Sequence, residues 1–483
     1  MNGSDFAFLL PEIVLVATAI TVWAVDFFTP RDRKPDLAWP AAAGALVAMA
    51  FLAISWGEHR EMFLGTLRLD NFSLFFRFLF LTVAFFVIVG SPGYVRRKLR
   101  NAGEFYGLIL MSTVGAMGIV SSREFLTAYI SLELVTFGFY VLASHARHEA
   151  RSNEAGAKYL ILGAFSSGLL LFGISLIFGA TGSTGYAAIA AALETTPDFG
   201  MVWTLGVALV LAGLGFKVAA FPFHSWAPDV YEGAPLPITA FLSVGSKAAG
   251  FAFLIRLFAE GLFPVLDDWR VAIGVVAVLT MTFGNLVAIQ QANLKRLLAY
   301  SSIAQAGYIL VGVATLNADT TSGMLLHIAG YTATNLGAFL VVIYFHNLTG
   351  KEGIDDLRGL YRRSFLLTLV LAVSLLSLAG MPLFAGFMTK FYLFTAAAAS
   401  QLWWLIALAV ANSILSVYYY LLVLRQAFIT PESEEEEQRP AFRLPSHARA
   451  TLSLLMVLVL WIGIYPSVFV DAAEAGSRAL FGG

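Results

Sequence analysis

Four ionisable residues stand well inside long apolar stretches. Glu133 lies midway through 126–141, in Ile130-Ser-Leu-Glu-Leu-Val-Thr-Phe-Gly. Lys217 lies in Gly213-Leu-Gly-Phe-Lys-Val-Ala-Ala-Phe-Pro-Phe-His, and Lys247 in Leu242-Ser-Val-Gly-Ser-Lys-Ala-Ala-Gly. Lys390 closes Gly380-Met-Pro-Leu-Phe-Ala-Gly-Phe-Met-Thr-Lys. A group of this kind has one obvious chemistry. An ammonium removed from water gives up its proton more readily, and a carboxylate brought near holds the proton on. Moving Glu133 towards or away from Lys217 would therefore load or release a proton, a switch built from one ion pair. Pairing alone does not account for the set, because three lysines face one acid.

Two histidines extend the series. His224 follows Lys217 by seven residues, and His327 lies in an apolar run near Tyr331. Either could relay protons near neutral pH, or serve as a hydrogen-bonded packing residue. His145 and His148 stand three apart in a basic loop. With no cysteine in the chain and no clear carboxylate partner, the pattern argues against a metal there. Lys158 and Arg256 sit within a turn or two of a helix end and are expected to snorkel or to pair.

The elements that must carry these groups follow from composition. The chain of 483 residues is 59% hydrophobic and only 13% charged. Soluble domains carry roughly 25% charged residues, so a bilayer must cover the core here. A net charge of −1 leaves no basic excess for nucleic acid, and none is expected as a partner. The absence of cysteine excludes thiolate-held iron–sulfur clusters, disulfides and thiolate zinc sites from this chain. The first residues lack the basic segment of a secretory signal, so the first apolar run is expected to be a retained helix.

Runs of roughly 20 residues, each long enough to span a bilayer, fall near 7–27, 38–57, 71–91, 104–121, 124–143, 157–179, 201–222, 235–258, 269–291, 297–316, 322–346, 364–395, 401–424 and 450–470. The expected fold class is an all-α polytopic membrane protein of about fourteen transmembrane helices, with 1–483 forming a single membrane domain. The run at 364–395 is too long for one straight crossing and should contain a break. A short interfacial helix is expected near 183–199. The acidic run Glu434–Glu437 reads as a solvated loop. Loops alternate between two sides. Those after odd-numbered helices hold nineteen of the lysines and arginines, against five on the other side. The positive-inside rule then puts the richer side in the cytoplasm and both termini outside.

Two lysine segments carry helix breakers. Pro222 lies five residues after Lys217, and Gly380, Pro382 and Gly386 stand just before Lys390. A proline inside a helix kinks it and frees a carbonyl. Broken helices at corresponding places in two halves point to a transport site and an inverted repeat.

At this point a family emerges. His224-Ser-Trp-Ala-Pro-Asp-Val-Tyr-Glu-Gly-Ala-Pro, with Ala240-Phe-Leu-Ser-Val-Gly-Ser-Lys, resembles the signature of the subunit N family of NADH–quinone oxidoreductase, respiratory complex I. Asn293-Leu-Lys-Arg-Leu-Leu-Ala-Tyr-Ser-Ser-Ile-Ala-Gln-Ala-Gly-Tyr resembles the motif shared by all antiporter-like subunits, and Ser131-Leu-Glu-Leu resembles the fifth-helix glutamate motif. The resemblance runs from about the third helix to the last. It implies three N-terminal helices (1–100), two inverted five-helix repeats containing broken helices (104–260 and 269–428) and a C-terminal helix (449–483). It also implies proton translocation coupled to quinone reduction in partner subunits. By motif, Glu133 resembles the fifth-helix glutamate, and Lys217, Lys247 and Lys390 resemble the lysines of helices seven, eight and twelve. The related subunit M has a glutamate in the place of Lys390. Subunit L has a long lateral helix, for which the residues up to Gly483 leave no room. His327 matches none of these motifs.

The implied partners are subunit M, the small membrane subunits and the lipid bilayer, and the implied location is the bacterial plasma membrane. NAD, FMN, iron–sulfur clusters and quinone are expected in partner chains, with no cofactor in this one. Multi-subunit sodium/proton antiporters share the repeats and buried lysines, and a structural spacer of the membrane arm is a further alternative. The motif at 224–235 favours complex I.

Overall fold

Deprived of water, a backbone must satisfy its own hydrogen bonds, and a helix does so within one segment. The computed structural model describes residues 8–196, 199–430 and 440–481. The expected acidic loop at Glu434–Glu437 and both chain ends lie outside the described residues.

Among the described residues, the helices of eight residues or more are α1 (Leu10–Phe28), α2 (Ala38–Ile54), α3 (Asn71–Gly90), α4 (Ala102–Ser121), α5 (Phe125–Ala143), α6 (Ala150–Thr181), α7 (Tyr186–Thr195), α8 (Gly200–Val218), α9 (Trp226–Gly233), α10 (Leu236–Glu260), α11 (Leu266–Ala288), α12 (Leu294–Ala314), α13 (Ala318–Thr349), α14 (Phe365–Ala379), α15 (Ala385–Ala398), α16 (Trp403–Phe428), α17 (Ser446–Ile464) and α18 (Ser467–Phe481). Among the described residues, thirteen helices are long and apolar enough to cross a membrane, and α14 is a shorter apolar one. With α14 and α15 as the two parts of one interrupted crossing, the fourteen expected spans are all present. The chain is an all-α polytopic integral membrane protein.

Helix starts are written locally. Asp70 caps α3 and Asn317 caps α13, each in a reciprocal capping box with Ser73 or Thr320. Helices α10, α12 and α13 are buried along most of their length and form the centre. The outer helices turn large apolar side chains outward, such as Phe165 on α6 and Ile414 on α16. In a membrane protein this is the ordinary lipid-facing surface.

Four details depart from the sequence reading. The crossing expected at 201–222 stops four residues early, at Val218, and Pro222 lies in the break expected beside Lys217. The last crossing, expected to reach 470, ends at Ile464, and α18 follows it. Ser477 of α18 donates to the carbonyl of Ala318, and Phe481 meets Phe263 at 5.8 Å, so α18 lies over one end of α13. A two-stranded hairpin, β1 (Arg60–Met62) with β2 (Leu67–Leu69), joins α2 to α3 in the register Arg60↔Leu69. Finally, α10 contains a wider π-turn at Leu242–Ser246, immediately before Lys247. The helix expected near 183–199 is present as α7.

Candidate functional site

The three lysines are almost fully shielded, at 3% (Lys217), 3% (Lys247) and 4% (Lys390) exposure. Each finds a hydroxyl. Lys217 Nζ, in the last turn of α8, donates to Thr136 Oγ1 of α5 at 2.8 Å. Lys247 Nζ, on α10, donates to Ser302 Oγ of α12 at 2.7 Å. Lys390 Nζ, on α15, donates to Ser413 Oγ of α16 at 3.1 Å and to the Leu378 carbonyl at 3.0 Å. The face of Tyr308 lies 4.5 Å from the same nitrogen. Among the described residues, none of the three forms a salt bridge.

The partner type has a chemical consequence. A carboxylate can only accept, whereas a hydroxyl both donates and accepts. An amine bonded to a hydroxyl can therefore lose a proton and keep its partner, because the neutral amine still has N–H groups to donate, while the hydroxyl protons of Thr136 and Ser302 go to the Leu132 and Ala299 carbonyls.

The interrupted helices supply the geometry at Lys217 and Lys390. Helix α8 ends with Ala219 in the left-handed conformation (φ 58°), and α14 with Gly380 (φ 83°). Both breaks close with the same pair of backbone bonds. In the first, Ala220 N bonds Gly215 O and Ala219 N bonds Phe216 O; in the second, Met381 N bonds Leu376 O and Gly380 N bonds Ser377 O. This is a Schellman ending. At the first break the Phe216 carbonyl accepts from Trp226 Nε1 at 2.9 Å. At the second, the Leu378 carbonyl accepts from Lys390 itself and from Gln305 Nε2 at 3.2 Å.

Glu133 is half-buried on α5, with its Oε1 shielded and lacking a hydrogen-bond partner. Among the described residues no ion pair joins Glu133 to Lys217; the amine bonds Thr136, one turn further along the helix that carries Glu133. His224 lies in the first break, against the rings of Phe221 (5.5 Å) and Phe283 (4.4 Å). Its Nδ1 is buried without a hydrogen-bond partner. His327 Nδ1 bonds Thr389 Oγ1 at 2.9 Å, so the structure brings it beside Lys390, while its Nε2 is buried and unpaired.

The pairing expected for Lys158 and Arg256 is found. Lys158 pairs with Asp229 at 2.7 Å and with Glu154 at 2.8 Å. Arg256 is fully buried and bonds both carboxylate oxygens of Asp70, at 2.8 and 2.9 Å, and also Glu260. Arg77 of α3 pairs with Glu12 of α1 at 2.8 Å. Among the described residues no group of acids and histidines could hold a metal.

Thr136, Ser302, Ser413 and Thr389 escaped the sequence reading. Thr136 had a usable signal, since it lies three residues from Glu133 on one helical face. Ser302 stands inside the Asn293–Tyr308 motif, but nothing in the sequence distinguishes it from Ser301 as the partner of Lys247. Ser413 carried no signal.

The chain is thus a helical membrane bundle with three buried lysines held by neutral partners, two of them at broken helices. Residues 122–416 match the model of a family described as NADH:quinone oxidoreductase/Mrp antiporter, transmembrane. The chain is 44% identical over 396 residues to NADH-quinone oxidoreductase subunit N of Trichlorobacter lovleyi, covering 80% of each chain. It is 38% identical over 475 residues to the subunit of the same name from Desulforamulus reducens, covering 98% of each. A chain of respiratory complex I from Thermus thermophilus, solved with bound aureothin, superposes with a TM-score of 0.80 at 32% identity, covering 96% of this chain and 100% of that one. The chain belongs to the NADH:quinone oxidoreductase/Mrp antiporter family of membrane subunits.

Proposed function

We propose that this chain is a proton-translocating membrane-arm subunit of an NADH:quinone oxidoreductase, working beside subunit M and the small membrane subunits in the bacterial plasma membrane. The observation that carries the reading is the set of three buried lysines, each held by a reversible hydroxyl partner and free of any described carboxylate. Similarity to subunits of that name supports the choice of complex. Glu133, Lys217, Lys247 and Lys390 are the proton carriers, with His224 and His327 as relays. The repeats are 104–260 and 269–428, each containing one broken helix. Both chain ends face outward, following the charge bias of the loops. Redox chemistry belongs to partner chains holding NAD, FMN, iron–sulfur clusters and quinone, because a chain without cysteine cannot hold a thiolate-bound cluster.

The test is made in membrane vesicles, reading quinone reduction and proton-gradient formation, with assembly checked on a native gel. Lys217→Ala is expected to impair coupled turnover in an assembled complex. Lys217→Arg is expected to fail as a rescue, because arginine stays protonated and cannot hand its proton on. A spacer would accept arginine, since only charge and packing would matter. Full pumping by an assembled Lys217→Arg complex overturns the carrier role.

A further inference from the structure

We propose that Tyr331 and Asn335 of α13 are positioning residues for Lys247, clamping the π-turn from which that lysine projects. The inference rests on the carrier role proposed above for Lys247 and adds residues that neither the motifs nor the lysine row include.

A π-turn holds one residue more than the α-helical turn it replaces and disturbs the regular hydrogen-bond ladder. In α10 this turn is Leu242–Ser246, and Ser243 is where it is secured. Ser243 Oγ donates to the Ala240 carbonyl at 2.8 Å. Tyr331 OH donates to the Ser243 carbonyl at 3.0 Å, and Asn335 Nδ2 donates to Ser243 Oγ at 2.6 Å. Tyr331 and Asn335 are four residues apart, so they project from one face of α13. His327 stands four residues before Tyr331 on that same face. One residue of α10 thus receives two side-chain bonds from a neighbouring helix, four positions before the lysine.

The clamp also adjoins the amine. A cavity of about 10 Å³ is bordered by Lys247, Val244, Ser302 and Tyr331, which places the tyrosine against the same pocket as the lysine. Closing the π-turn into regular α-helix would change the register by one residue. That rotates the following side chains by about 100° and shifts them by about 1.5 Å along the axis. Lys247 would then lose the 2.7 Å contact with Ser302. The two bonds from α13 oppose that change, so they fix which partner the amine meets.

The experiment uses the assembled complex in vesicles, measuring quinone reduction and proton-gradient formation, with kcat and quinone KM determined separately. Tyr331→Phe keeps the ring and removes one hydrogen bond. It is expected to lower coupled kcat about five-fold, the factor one net hydrogen bond supplies, with the quinone KM unchanged and assembly normal. Tyr344→Phe is the control. This tyrosine lies on the same helix nine residues beyond Asn335, with its hydroxyl beside Thr451 and not at the π-turn, so wild-type turnover is expected. Ser243→Ala removes the acceptor used by Asn335 and covers the case in which a tyrosine variant fails to assemble. Ser243→Ala combined with Asn335→Leu is expected to be no worse than the worse single change, as for residues acting through one bond. In a Lys247→Ala background, Tyr331→Phe is expected to bring no further loss. An equal loss in that background, or wild-type turnover by Tyr331→Phe beside an impaired Lys247→Ala, overturns the clamp and leaves the lysine row standing. Full pumping by Lys247→Ala overturns the lysine's carrier role and the clamp together.

Discussion

The two helix interruptions share a backbone design and use it to opposite effect. Each first half ends in a Schellman turn with a left-handed residue, Ala219 or Gly380, and each is followed by a shorter helix. In the first, the lysine precedes the break and reaches sideways from the end of α8 to Thr136. In the second, the lysine follows the break and reaches back from α15 to a carbonyl of the last α14 turn. The carbonyls freed at a helix end carry partial negative charge. An indole N–H occupies one such position at the first break, whereas the amine itself occupies one at the second.

The short halves are also anchored differently. Ion pairs hold α9, joining Asp229 to Lys158 and Arg296, and Glu232 to Arg296. Neutral hydrogen bonds hold α15, from Gly386 N to Ser377 Oγ at 2.9 Å and from Thr389 to His327. One backbone motif therefore gives two differently supported amines.

The largest effect that tests this contrast is steric. At Gly386 a Cβ would lie 1.7 Å from the Ser377 carbonyl oxygen, a backbone atom that cannot move aside. At Gly215, by the first break, the nearest atom is a Phe223 ring carbon at 3.0 Å. Gly386→Ala is expected to destabilise by about 3 kcal/mol or more and to reduce assembled complex sharply on a native gel. Gly215→Ala is expected to assemble. Equal loss in the two variants would show the breaks to be packed alike.

A smaller effect lies in the left-handed residues. Gly380→Ala is expected to cost about 1–2 kcal/mol. The new methyl would also lie 3.5 Å from Lys390 Nζ, so turnover should fall with stability. Ala219→Gly relieves a similar strain but adds freedom to the unfolded chain, so its net change is expected within about 1 kcal/mol of zero. Thermal midpoints of the solubilised complex separate the two.

The smallest difference concerns the hydroxyls. Thr136→Val removes the hydrogen bond found for Lys217 in this structure, whereas Ser413→Ala leaves Lys390 its carbonyl. Thr136→Val is expected to lower coupled turnover about five-fold, and Ser413→Ala by about half that factor or less. The reverse order would make the Leu378 carbonyl unimportant to Lys390.

Much of this could be read from the chain. Lysines isolated in apolar runs announced themselves, because a charge at mid-bilayer costs about 2.5–3.5 kcal/mol and is kept only for a reason. Proline and glycine marked the break before Lys390 for the same local reason, since their backbone preferences act within a few residues. The first break was placed less well. Pro222 marked a break, yet the helix had already stopped four residues earlier at Val218, with the non-glycine residue Ala219 taking the left-handed position. An alanine in that conformation leaves no trace in the sequence. The π-turn before Lys247 was equally silent: Gly245 and its two serines weaken a helix without specifying a π-turn, and the bonds from α13 meet it only in the tertiary structure.

By itself, the sequence determined what local physics decides. Apolar length and low charge made the chain a membrane bundle, and the buried ionisable residues were visible as the groups a bilayer would not otherwise tolerate. The partners of those groups were decided only by the tertiary structure. Lys217 meets Thr136 across 81 positions of sequence, Lys247 meets Ser302 across 55, and His327 meets Thr389 across 62. A serine or threonine is common in any membrane helix. Which one becomes the reversible partner of an amine depends on how neighbouring helices are rotated against each other, and packing over the whole bundle sets that rotation.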